Sequence, residues 1–161
     1  MKCELGEILI SHGYKQYITE ANINGNYPVI QQGDKPIVGY SDNDPFLDYD
    51  NVLLFGDHTL SLFKPREPFL LATDGIKIIS IENFDGEFTY YFLQKYNLKS
   101  EGYKRHFTIL KNKSCFFPKD IEEQTKIGKF FKHLDNLITV NERELNKLKE
   151  LKKSYLKDMF V

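Results

Sequence analysis

The sequence predicts an α+β fold: a strand-rich globular domain followed by one long C-terminal helix that pairs with another helix. Three observations carry the prediction. Short β-type apolar runs alternate with Gly, Pro, Asn and Asp clusters through the first 118 residues. No proline follows Pro118 and no glycine follows Gly128, so nothing in the tail breaks a helix. Within that tail, steps of alternately four and three from Ile127 reach Phe131, Leu134, Ile138, Asn141, Leu145, Leu148, Lys152, Tyr155 and Met159, and eight of these ten positions are apolar. Residues 1–118 are thus expected to form the globular domain and 119–161 the helix.

In chain order, ELGEILI at 4–10 reads as an opening strand or short helix on the core. His12 to Asn26 is polar and punctuated by glycine, hence a loop. YPVI and PIVGY read as two strands around the turn QQGDK, which puts Gln31 and Gln32 at its tip. SDNDPFLDYDN is a turn-rich acidic loop, and NVLLFGD is a buried strand by its continuous apolar run. TLSLFKP is the next strand. PFLLATDGIKIISI reads as two strands joined as a hairpin at Asp74-Gly75. EFTYYFLQKY has aromatics at helical spacing. SEGYKRHFTIL is expected to be a loop leading to a strand, and KNKSCFFP a last extended piece. Asp120 then supplies an N-cap, with Glu122 and Glu123 suited to the helix dipole.

At ~1.5 Å per residue the terminal helix would be ~60 Å long. A narrow seam repeating every 3.5 residues cannot be buried along that length on one small globule. The seam Ile127, Phe131, Leu134, Ile138, Asn141, Leu145, Leu148, Tyr155 and Met159 is therefore expected to meet a second helix, with the Asn141 amide fixing register. Phe130, Leu137, Leu151 and Leu156 widen the stripe and give some weight to a helix lying on its own domain. Lysines and glutamates at nearly every turn exclude a membrane span.

The chain has 161 residues, 41% apolar and 14% aromatic, enough to fill a core. Its net charge of −1 argues against an indiscriminate polyanion binder. Residues 1–118 hold 12 Lys/Arg against 15 Asp/Glu, and residues 119–161 hold 10 against 8. Cys3 and Cys115 are far apart in sequence and signal neither a disulfide framework nor a zinc knuckle; they read as structural thiols in a reducing compartment. The N-terminus has too short an apolar stretch for a signal peptide, so a cytoplasmic location is expected.

The strongest charge cluster of the globular part is Lys99, Lys104, Arg105, His106, Lys111 and Lys113, which could grip phosphates or bond a guanine edge. A solvated loop would show the same charges. Lys64, Arg66 and Lys77 lie on strands and turns that could face the same way, and Gln31 and Gln32 are amides of the type that reads adenine. NDPF at 43–46 is similar to the NPPF loop of amino-methyltransferases but lacks its second proline, and no methyl-donor loop accompanies it. The histidines at 12, 58, 106 and 133 are scattered, Asp57-His58 has no nucleophile at a diagnostic spacing, and no P-loop occurs. The residues thus point to a recognition module without catalysis, metal or cofactor.

IEEQTKIGKFFKHLDNLI, followed by the heptad helix ending KKSYLKDMF, resembles the helical spacer of type I restriction–modification specificity subunits. LGEI, YPVIQQGD, NVLLFGDHT and GYKRHFTILK resemble one target-recognition domain of that family, so the likeness runs from about Leu5 to the C-terminus. Two departures stand out. The approach to the EQ carries a single proline (FFPKDIEEQ), and the chain has one recognition domain and one helix where a complete subunit has two of each. The resemblance implies a half-subunit, or a piece of a longer protein, that reads half of a split site in double-stranded DNA. It implies antiparallel pairing of the helix with a second copy, or with a second recognition half, to set the spacer. It also implies modification methyltransferase and restriction subunits as partners. Contacts are expected first from Arg105, Lys104 and His106, then from Gln31, Gln32, Lys64, Arg66 and Lys77. The competing reading is a coiled-coil interaction adaptor whose head binds protein and has no DNA specificity.

Overall fold

A computed structural model describes residues 2–96 and 106–160. The element order is β1 (Lys2–Glu4), α1 (Leu5–Ile8), β2 (Leu9–Ser11), β3 (Tyr27–Ile30), β4 (Ile37–Ser41), β5 (Leu53–Gly56), β6 (Leu62–Phe63), β7 (Leu70–Leu71), β8 (Ile76–Ile81), α2 (Gly86–Tyr96), α3 (His106–Lys111), β9 (Ser114–Phe116) and α4 (Ile121–Met159). The α+β class and the long terminal helix are as the sequence predicts. The chain divides into two compact units, one ending at Gly128 and one beginning at Lys129, so the first two turns of α4 belong to the globular unit.

A four-stranded antiparallel sheet of order β2-β8-β5-β6 is the centre of that unit. Successive side chains of a strand point to opposite faces, and on β5 both faces are covered. Leu53 and Phe55 join Ile79, Ile81, Phe88, Phe92 and Leu110 in a core with α2 and α3. Val52 and Leu54 join Ile30, Phe69, Leu71, Ile76 and Ile78 on the other side, against a three-stranded sheet of order β4-β3-β7. Burial on both faces is why VLLF is an unbroken apolar run where a half-exposed strand would alternate. A fully buried side chain of this kind contributes roughly 1.5–3 kcal/mol, so this strand anchors the unit.

The hairpin expected at YPVI and PIVGY forms, with Tyr27 opposite Ser41 and Val29 opposite Gly39. The hairpin expected at Asp74-Gly75 does not. β7 pairs in parallel with β3, and Ala72 N–H extends that ladder to the Ile30 carbonyl. β8 leaves for the other sheet, and the Gly75 carbonyl accepts from Asp57 N–H. A two-residue hairpin turn needs positive φ, and Gly33 (φ 107) is the one glycine among the described residues that has it. The segment expected to run from a loop into a strand instead enters α3, because His106 and Leu110, one helical turn apart, both go into the core. The opening segment is strand, helical turn and strand in succession, and β1 pairs antiparallel with β9.

α4 opens as expected: Asp120 Oδ1 accepts from Glu122 N–H at 2.9 Å. Among the described residues no helix is long and apolar enough to cross a membrane.

Candidate nucleic-acid interface

Four segments converge at the end of the central sheet where β5 stops at Gly56 and β8 starts at Ile76. The first is the β3–β4 tip. Gln31 N–H donates to the Pro36 carbonyl at 2.7 Å, and its side-chain amide donates to the Lys35 carbonyl at 3.0 Å. These bonds close the turn around Gly33, whose N–H reaches Ser61 Oγ at 3.0 Å. The second is the 57–60 turn. Gln32 Oε1 accepts from His58 N–H at 3.2 Å, and the Gln32 side chain lies where a Cβ on either Gly56 or Gly75 would collide with it. Gly75 carries the third segment, which leads to Lys77. Lys77 Nζ sits 4.6 Å from the centre of the Tyr14 ring and donates to the Tyr14 hydroxyl at 3.2 Å. The fourth is α3. Phe107 N–H donates to Asp57 Oδ1 at 2.9 Å, and His106 Nδ1 is 2.9 Å from the Asp57 carbonyl oxygen. The chain therefore re-enters the described part beside the residue that precedes His58.

Leu60 ends the second turn at φ 60. A branched side chain in the left-handed region costs of order 1–3 kcal/mol and persists only when its surroundings fix it. Leu60 is held by its N–H bond to the Gly56 carbonyl and by burial in the core. The exposed pair His58-Thr59 is thus presented from a rigid base.

The expected contact residues divide three ways. Gln31, Gln32 and Lys77 come together here, each half-buried and already bonded within the fold. Gln32 chiefly ties the tip to the neighbouring turn. His106 is buried to 1% exposure, so its ring is core and out of reach of a duplex. Its Nε2 has no hydrogen-bond partner among the described residues. Lys99, Lys104 and Arg105 lie outside the described residues.

Lys64 and Arg66 sit apart, around the start of α2. Lys64 is buried, and its ammonium donates to the carbonyls of Tyr49 (3.4 Å), Asp50 and Val52 (3.5 Å), capping a 3₁₀ turn over Tyr49–Asn51. Burial holds its pKa below the ordinary 10.5, with Glu87 pulling the other way. Arg66 makes a forked pair with Glu87, its Nη1 to Oε1 and its Nη2 to Oε2 at 3.3 Å, and the hydrogen bond to that carboxylate raises its pKa. Lys64 is thus buried and committed to carbonyls inside the protein, whereas Arg66 stays exposed beside its Glu87 partner. Lys64→Met is expected to lower stability by about 1–3 kcal/mol, because three carbonyls lose their donor; urea unfolding measures it. A base whose folded pKa is lowered sheds its proton sooner in the fold than in the unfolded chain. Stability from this group therefore rises as pH climbs towards 10.5, and the substitution removes that slope.

The sequence around His58 carries no binding motif; the tertiary turn places it at the convergence. NDPF is a turn: Asn43 N–H donates to Ser41 Oγ at 3.3 Å, and its amide to Thr19 Oγ1 at 2.7 Å.

The EEQTKIG block has a structural account. Gln124 is 1% exposed; its Nε2 donates to the Pro118 carbonyl at 2.9 Å and its Oε1 accepts from Asp85 N–H at 3.2 Å. Asp85 Oδ1 in turn accepts from Phe88 N–H at 2.9 Å, which caps α2. A Cβ on Gly128 would stand 2.7 Å from that same Phe88 nitrogen. The block therefore welds the first turns of α4 to the start of α2, and Ile127 packs on the globular core. Beyond it the helix carries an exposed apolar row: Phe131 (42%), Ile138 (54%), Leu145 (50%), Leu148 (62%), Tyr155 (57%) and Met159 (76%). Leu134 is half-buried and Asn141 exposed, its amide donating to the Leu137 carbonyl at 2.9 Å.

A family model described as "Type I restriction modification DNA specificity domain" matches residues 1–150. No curated protein matches the chain significantly. Among solved structures, the crystal structure of the Type-I restriction-modification system S subunit from M. genitalium is similar, with a TM-score of 0.64 and 14% identity. The match covers 99% of this chain and 45% of that one, so this chain spans less than half of that subunit's length. At this identity the likeness is one of fold.

Proposed function

This chain belongs to the type I restriction modification DNA specificity domain family, and on that premise we propose that it reads one half of a split site in double-stranded DNA. Two copies pair antiparallel through α4, and the paired helices set the distance between the two reading heads. The observation that carries this is the apolar row from Phe131 to Met159, left 42–76% exposed by a single chain. A regular row of that length is what a second helix covers. Symmetry then dictates the DNA: two identical heads related by a two-fold axis read an inverted repeat.

In this reading the head makes its contacts with the exposed turns at the end of the central sheet and with the segment that enters α3. Gln31, Gln32 and Lys77, with His58, offer amide, imidazole and ammonium groups from a fixed framework, and Lys104 and Arg105 precede α3 in sequence. The net negative charge of residues 1–118 suits a head that touches DNA over one local face and relies on base contacts for choice. The chain itself carries no catalysis. Modification methyltransferase subunits supply the methyl transfer and restriction subunits the cleavage, in the cytoplasm where the DNA lies.

The test is the mass of the particle in solution, alone and with a palindromic duplex, joined to a gel-shift series on split inverted repeats at moderate salt. A dimer that shifts one repeat and spacing selectively is expected. A dimer with no sequence-dependent shift, with or without a methyltransferase partner, would mean an interaction adaptor. Arg105→Ala is expected to weaken the cognate complex by about 1–3 kcal/mol while leaving non-specific binding in place. Equal loss on every sequence would make it a phosphate contact.

A further inference from the structure

β1 and β9 bring together two residues 112 positions apart: Cys3 lies directly opposite Cys115, with the sulfurs 3.4 Å apart. Both are free thiols. Two residues along the same ladder, Leu5 N–H donates to the Lys113 carbonyl at 2.8 Å. The cysteine pair is thus of the hydrogen-bonded kind, for which Cα atoms stand about 5.5 Å apart, within the range a disulfide spans. To bond, the sulfurs must close from 3.4 Å to about 2.05 Å. The two Cβ atoms, about 4.5–5.5 Å apart in a directly opposed pair, must draw in to about 3.5–4.5 Å. Their exposures differ: Cys115 is fully buried, whereas Cys3 is partly open to solvent.

We propose that Cys3 and Cys115 are an oxidation site at which a peroxide-class oxidant makes an intramolecular disulfide, clamping the first strand of the globular unit to its last. Cys3 is the sulfur the oxidant meets. The Cys115 thiol is pushed up to about 12, first by burial and then by its hydrogen bond to Cys3, so it keeps its proton until the second step. In the first step the Cys3 thiolate attacks a peroxide oxygen. The O–O bond breaks, and the departing hydroxide takes the proton that Cys3 had released, giving a sulfenic acid and one water. In the second, the Cys115 sulfur attacks the Cys3 sulfur. The S–S bond forms, the S–O bond breaks, and the hydroxide leaves with the Cys115 proton as a second water. Two thiols are oxidised by two electrons and one peroxide is reduced.

The bridge closes a loop holding nearly the whole globular unit, and long loops restrict the unfolded chain most. It joins the two-stranded sheet β1-β9, which is separate from the four-stranded sheet at whose end the polar turns converge.

The experiment treats the full chain with hydrogen peroxide. The expected product is lighter by two hydrogens in intact mass and runs faster without reductant. It melts about 10 °C higher, and dithiothreitol reverses all three changes. Cys3→Ser, at a half-exposed position, is expected to fold and to show no rise in melting with peroxide; Cys115→Ala is the second control. Three results would overturn the proposal: Cys3 oxidised to sulfinic acid with Cys115 still free, a bridge between two chains, or an internal bridge that leaves the melting midpoint where it was.

Discussion

Leu145→Glu or Leu148→Glu is expected to convert the proposed dimer to monomers, with light scattering falling to the mass of the 18.9 kDa chain. Both residues sit in the middle of the exposed row, at 50% and 62% exposure in the single chain. In a two-fold pair each substitution puts two carboxylates into a seam that excludes water. An uncompensated buried charge costs several kcal/mol, comparable with what a short coiled coil has to spare. The heads should keep their fold, since both residues belong to the second unit, which begins at Lys129. DNA affinity falls further than a contact mutation would cause, because the second head's binding ceases to be intramolecular. Lys149→Glu, beside the row, serves as the control and stays dimeric. If the Leu145 and Leu148 variants also stay dimeric, the row is not the interface.

The second large effect is expected at Gly128. An alanine in mid-helix gains up to about 1 kcal/mol over glycine from backbone propensity alone. Against that stands a Cβ 2.7 Å from the Phe88 nitrogen and 3.2 Å from Asp85 Oδ1. Neither can retreat cheaply, because that nitrogen and that oxygen are bonded to each other as the cap of α2. Overpacking of this sort costs about 1–3 kcal/mol, so Gly128→Ala is net destabilising, and the bulkier Gly128→Val loses roughly 3 kcal/mol or more. Denaturant midpoints read both. An alanine variant more stable than the parent would show that propensity wins and that the junction has slack.

What could be read from the sequence was what neighbours in the chain decide. The YPVI–PIVGY hairpin, the VLLF strand, the EFTYYFLQKY helix and the Asp120 cap are all local in origin. The misread parts depend on distant partners. Asp74-Gly75 carries a hairpin dipeptide, yet the strands it separates pair with β3 on one side and with β2 and β5 on the other. HFTIL has the aromatic and β-branched content of a strand, but burial of His106 and Leu110 on one face makes it a helix. The basic residues show the same limit. Whether a lysine meets solvent or caps a turn is settled by what lies across the fold, and Lys64 and Lys77 find internal partners 12 to 63 positions away. The cysteine pair was invisible for the same reason.

Because Lys2 lies opposite Phe116, the first strand of the globular unit and the strand that leads into α4 run side by side. Neighbouring end strands of this kind let a unit be permuted or inserted elsewhere without dragging its ends apart.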